Sequence, residues 1–153
     1  MRPNGTEQLW LMLVEDSPAD VYLVQEAVRE EGLRFDWKVA EDGEAAIKLI
    51  DMVDANSDVS VPRLLLLDLN VPRRNGIHVL EHFRQSGRCG AVPVVMISSS
   101  DSPAERNRAL ELGATEYFRK PSGLDEFMQL GQLVRRLVEA VSTPAVFRAG
   151  EVL

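Results

Sequence analysis

Arg63-Leu64-Leu65-Leu66-Leu67-Asp68-Leu69-Asn70-Val71-Pro72 is the stretch on which the reading of this chain turns. Its first half is an uninterrupted apolar run. Such a run suits a parallel strand covered on both faces, whereas a half-exposed strand alternates. The run ends on a carboxylate, Asp68, just ahead of Val71-Pro72. Two other runs share this character. Leu9-Trp10-Leu11-Met12-Leu13-Val14 ends in Glu15-Asp16, and Pro93-Val94-Val95-Met96-Ile97 ends in Ser98. Phe35–Val39 and Thr115–Phe118 are weaker strand candidates, the second leading to Lys120-Pro121.

Segments with helical spacing lie between the strands. Ser17 caps the first, Pro18 suits its first position, Asp20 completes a capping-box pattern and Gly32 ends it. Leu23, Val24, Ala27 and Val28 form its inward stripe. The second helix runs from about Gly43 to Val53 and the third from Gly76 to about Gln85. The fourth starts at Ser102-Pro103 and ends at Gly113. The fifth runs from near Gly123 to about Val141, where Thr143-Pro144 stops it. Five β-α repeats predict an α/β fold: a flavodoxin-like, doubly wound five-stranded parallel sheet of order 2-1-3-4-5 with five helices. Residues 1–7 read as an N-terminal extension, 8–141 as one domain and 142–153 as a C-terminal tail.

The 153 residues suit one domain, and 45% hydrophobic content with 27% charged residues argues against disorder. The single cysteine, Cys89, excludes an internal disulfide and fits a reducing compartment. A net charge of -7 disfavours nucleic acid or an anionic membrane as partner. No apolar run approaches the roughly 18 residues of a membrane helix, and no signal-peptide region follows Met1. A cytoplasmic location is the expectation.

The strand ends carry the chemistry. Glu15, Asp16 and Asp68 converge with Ser98 and Lys120 on one rim, at the carboxyl ends where such sheets bind ligands. Three close carboxylates repel one another, and Lys120 cannot balance them alone. Oxygen-only ligands of this kind suit Mg²⁺. A hydroxyl and an ammonium beside that ion suit the oxygens of a phosphoryl group. Asp68, ending the central strand at the switch point, is the best nucleophile for forming an acyl phosphate. Each piece alone has a bland explanation as a surface charge, turn residue or polar loop. Their joint placement makes chance a poor one.

With these motifs the chain resembles the response-regulator receiver domain, CheY-like, over about residues 8–141. The resemblance rests on Leu13-Val14-Glu15-Asp16-Ser17, Leu66-Leu67-Asp68-Leu69-Asn70-Val71-Pro72 with Gly76, Pro93–Ser98, and Lys120-Pro121. It implies a bacterial two-component phosphorelay in which Asp68 accepts a phosphoryl group from a phosphohistidine. The donor would be a sensor histidine kinase or a phosphotransfer protein. It implies Asp16, Asp68 and the Asn70 backbone carbonyl as Mg²⁺ ligands, with Glu15 acting partly through water. Ser98 would receive a phosphoryl oxygen and Lys120 would pair with it. The Lys120-Pro121 bond would be cis. Tyr117 would move inward on phosphorylation and reshape the face of the fourth helix, fifth strand and fifth helix. Ser99 and Ser100, the run Glu15–Asp20 and the connection Asn56–Val61 resemble single-domain regulators paired with phytochrome-type kinases.

Rival readings fit less well. A haloacid-dehalogenase-type phosphatase needs a second Asp where Asn70 stands. A flavin carrier needs Ser/Thr/Gly-rich phosphate loops after strand 1, and a pseudo-receiver would not keep the full acidic set. His78 and His82 share a helix face without a third ligand. The tail after residue 141 is too short for a DNA-binding effector, so protein contacts are the expected output. Tyr22, opposite the inward stripe of the first helix, is a candidate kinase contact. Phe127, Leu130, Val134, Val138 and Val141 form the core stripe of the fifth helix. Leu133, Leu137 and Ala140 widen it, and with the apolar tail 144–147 they suggest a homodimer.

Overall fold

The computed structural model describes residues 9–151, with side chains described through residue 140. Each apolar run forms a strand: β1 Trp10–Val14, β3 Leu64–Asp68 and β4 Val94–Ser98, all buried throughout. The weaker candidates form β2 Asp36–Ala40 and β5 Glu116–Arg119, one residue later than expected and only partly buried. All neighbours pair in parallel in the order β2-β1-β3-β4-β5. The partly buried strands are therefore the two edges. A central strand loses water on both faces, while an edge strand keeps part of its surface wet.

The helices explain why alternation is lost in the centre. On one face, Met12, Val14, Leu65, Leu67, Val94 and Met96 pack with helices α2 Gly43–Ala55 and α3 Gly76–Gln85 through Ile50, Val53, Leu80 and Phe83. On the other, Leu11, Leu13, Leu64, Leu66, Val95 and Ile97 meet helix α1 Pro18–Arg29 and the C-terminal helices. Consecutive residues of one strand thus serve two cores. Helix α4, Pro103–Glu111, is held more lightly, with Ala109 as its buried residue. Arg84 on α3 ties two loops together, its guanidinium donating to the carbonyls of Gly90, Val92 and Gly113.

The fifth helical stretch departs from the sequence expectation in two ways. It divides at Met128 into a one-turn α5, Leu124–Phe127, and a long α6, Gln129–Glu151. Thr143-Pro144 also does not stop it. A proline removes one backbone donor from the ladder and crowds one carbonyl. Good helix formers on both sides, among them Leu137, Glu139, Ala140, Ala145 and Arg148, carry the helix across. The boundary expected at 141/142 falls inside α6. Among the described residues no helix is long and apolar enough to cross a membrane.

Helix α6 lies against α1 at a point where only glycine fits. A Cβ on Gly131 would stand 2.0 Å from the Ala27 carbonyl oxygen. That neighbour is backbone and cannot swing aside. Gly131→Ala is expected to cost about 1–3 kcal/mol through forced separation of the helices. Gly87→Ala, with open space around it, should stay within about 0.5 kcal/mol of wild type. Urea denaturation of both variants checks the pair, and equal midpoints would contradict the close approach.

Candidate functional site

The carboxyl ends of the strands meet at one rim. Asp68 is the last residue of β3 and only 6% exposed. Its Oδ1 accepts from the Asn70 amide at 2.9 Å, and its Oδ2 from Lys120 Nζ at 3.1 Å. Glu15, just past β1, is 2% exposed. Its amide extends the ladder to the Ala40 carbonyl, which fixes the side chain under the rim. Its Oε2 accepts from the Ser17 amide and its Oε1 from Lys120 Nζ at 3.0 Å. Asp16 is exposed above them. Ligand oxygens of Glu15, Asp16 and Asp68 all lie within 4.8 Å of one another. An oxygen-only trio at this spacing fits a hard divalent cation. Gly76 keeps the β3 exit tight, since a Cβ there would stand 2.7 Å from the Asp68 carbonyl oxygen.

Lys120 is the counter-charge of the rim, and its backbone amide also bonds to the Ser98 carbonyl at 2.7 Å. Its ammonium reaches a third carboxylate, Asp20 on α1, at 2.8 Å. Reading Asp20 as half of a capping box missed this. Ser17 Oγ does accept from the Asp20 amide, yet the Ser17 amide bonds to Glu15 and the Asp20 carboxylate turns into the rim. Nothing in the local spacing separates the two directions.

The Lys120-Pro121 bond is not cis, because among the described residues no peptide bond is cis. The two isomers of an X-Pro bond differ by only about 0.5–1 kcal/mol. Three carboxylates suffice to draw the lysine inward from the trans form. The Tyr117 side chain is buried, and its hydroxyl donates to the Ser100 carbonyl at 3.2 Å. The Arg106 guanidinium lies 5.8 Å from its ring centroid. Ser98 is fully buried, and its Oγ accepts from the Ser100 amide at 3.0 Å.

Away from the rim, Tyr22 is 60% exposed, as its helical position predicts. His82 pairs with Asp51 at 2.7 Å, and neither His78 nor His82 joins a metal-type cluster among the described residues. Cys89 is buried, and burial raises its thiol pKa.

Comparison with known proteins sets this geometry in a family. The model of the response regulator receiver domain matches residues 11–132. This chain belongs to the response regulator receiver family. It is 30% identical over 136 residues to response regulator Rcp1 of Synechocystis sp., covering 88% of this chain and 92% of that protein. The solved structure of Mn²⁺-bound Rcp1 matches with a TM-score of 0.72 and 30% identity, over 82% of this chain and 91% of the other. The phosphorylated cyanobacterial phytochrome response regulator RcpA gives 0.74 and 27%, over 83% and 91%. The receiver is thus a signalling domain of two-component systems, with the five-stranded order of its relatives.

The electrostatics of the rim have a measurable sign. Burial first, and the facing Asp68 charge second, push the Glu15 carboxyl from about 4.5 up to about 7, against the bond and charge of Lys120. For Lys120, burial opposes the charged form, but hydrogen bonds to Asp20 and Glu15 and the Asp68 charge outweigh it and raise its pKa. One positive charge shared over three carboxylates leaves Glu15 under-compensated. Native Glu15 therefore keeps a proton that the unfolded chain has released. This group's contribution to stability falls as pH rises from about 4.5 to about 7, then levels off. Urea midpoints of the metal-free protein, taken across that window in chelator, should fall relative to those of Glu15→Gln. Parallel curves for the two proteins would contradict the assignment.

Proposed function

We propose that the rim accepts a phosphoryl group on Asp68, with Mg²⁺ held by Glu15, Asp16, Asp68 and the Asn70 backbone carbonyl. The observation that carries this reading is the convergence of the acidic trio with Lys120 at the end of the central strand. A carboxylate oxygen of Asp68 attacks the phosphorus of a partner's phosphohistidine. The P–N bond breaks, a P–O bond forms, and the imidazole leaves with its electron pair. Mg²⁺, when bound, neutralises charge on the transferring oxygens. Asn70 holds Asp68 in line through its amide, Lys120 supplies a donor to the phosphoryl oxygens, and Ser98 offers a hydroxyl once it turns from Ser100. The same rim promotes the later hydrolysis of the acyl phosphate.

The output follows from that turn. When Ser98 Oγ leaves the Ser100 amide, the loop that holds the Tyr117 hydroxyl and begins α4 loses an anchor. The face of α4, β5 and α6 then shifts between two packings, a population change biased by one new charge. Tyr117 acts here as a sensor already seated inward. The donor is a sensor histidine kinase or phosphotransfer protein in the cytoplasm. The likeness to RcpA, whose description names a phytochrome response regulator, supports a phytochrome-type kinase.

The direct test is mass spectrometry after incubation with Mg²⁺ and acetyl phosphate. One added phosphoryl group is expected, labile in base, lost on chelation and lost in Asp68→Asn. A stable phosphoryl adduct in Asp68→Asn would refute the site.

A homodimer through α6 is the second part of the reading. Leu130, Val134 and Val138 are buried in the domain's own core, and Leu133 and Leu137 are half-buried beside them. Val141 and the apolar residues 144–147 lie outside the described side chains. The 23 residues of α6 span about 34 Å, and residues 144–147 lie beyond its core stripe. Sedimentation at high micromolar concentration should show a dimer. A monomer throughout would remove this part and leave the phosphoryl chemistry intact.

A further inference from the structure

Lys120 Nζ makes three bonds, and the shortest goes to the one partner outside the metal-holding trio: Asp20 at 2.8 Å, against 3.0 Å to Glu15 and 3.1 Å to Asp68. An ammonium has three protons and accepts nothing, so Lys120 is saturated in this state. A cation on the trio and a phosphoryl group on Asp68 both disturb that arrangement. The cation repels the ammonium from Glu15 and Asp68. The phosphoryl oxygens need one of its N–H groups. Asp20 sits on the first turn of α1, is 28% exposed through its side chain, and belongs to a different element from the other two partners.

We propose that Asp20 is a positioning residue for phosphoryl transfer, acting through Lys120. It shares the ammonium with Glu15 and Asp68, and that competing bond weakens the hold of Lys120 on the two and leaves them better able to bind the divalent cation. It also competes with the phosphoryl group for the same N–H. This deepens the phosphoacceptor reading and rests on it.

The two actions have opposite signs when the Asp20 charge is removed. In Asp20→Asn the ammonium binds Glu15 and Asp68 more tightly and competes harder with the cation. At saturating Mg²⁺, that N–H is held only by a neutral amide oxygen and passes more readily to the phosphoryl oxygens. Calorimetric titration of the full chain with Mg²⁺, then with beryllofluoride as a phosphoryl stand-in at saturating Mg²⁺, reads both. Asp20→Asn should weaken Mg²⁺ and tighten beryllofluoride, each by about fivefold, the size expected of one charged pair that keeps some contact with solvent. A loosened α1 would weaken both, and that result would overturn the proposal. So would two unchanged affinities.

Action through the lysine has its own readout. In a Lys120→Gln background, Asp20→Asn should leave both affinities unchanged. Equal fivefold shifts in that background would mean that Asp20 acts as a distant charge, and the proposal would fail. A wild-type protein that binds neither Mg²⁺ nor beryllofluoride would defeat the phosphoacceptor reading itself. Wild-type binding without the split would defeat only the role of Asp20.

Discussion

The ammonium of Lys120 is bonded to three carboxylates that come from three separate elements. Like charges this close repel, and burial raises the cost of each. A shared cation is what lets the chain hold Glu15 and Asp68 nearly dry at adjacent strand ends. The arrangement remains under-compensated, because one positive charge serves three negative ones. The protonated tendency of Glu15 comes from its burial first and from the facing Asp68 charge second, against the pull of Lys120. A site in that condition takes up further positive charge readily, as a proton or as a divalent ion.

The parallel sheet makes the arrangement possible. Only parallel neighbours bring the carboxyl ends of β1, β3, β4 and β5 to one rim. The double-faced core holds those ends rigid. A one-residue slip of β3 trades leucine for leucine within the run but carries Arg63 or Asp68 into a core layer, so the charged residues at its two ends fix the register and with it the place of Asp68.

The periphery is held differently. Helix α4 contributes one fully buried side chain, and its start hangs on hydroxyl bonds: Ser100 to Ser98, Ser102 to Ser100, and Tyr117 to the Ser100 carbonyl. Few buried apolar contacts mean low local stability. Helix α4 is therefore lightly held, whereas the contact between α1 and α6 is fixed at one point by the close approach at Gly131. A rigid strand rim and a lightly held α4 coexist because their burial differs.

Much of this was legible without coordinates. The apolar runs, the proline-led helix starts and the strand-end residues Glu15, Asp16, Asp68, Ser98 and Lys120 are local patterns. Burial on both faces demands uninterrupted hydrophobic strands, and that demand is written in composition. The family followed from the same stretches. Tertiary structure alone decided where Asp20 points, whether Tyr117 stands in or out, which isomer precedes Pro121, and whether Pro144 ends a helix. Each is a choice between local states of similar energy, such as a cap or an ion pair, an inward or outward ring, a trans or cis bond. A short sequence window does not contain the partner that settles it. For Asp20 that partner is Lys120, one hundred residues away, and only the folded chain brings the two together.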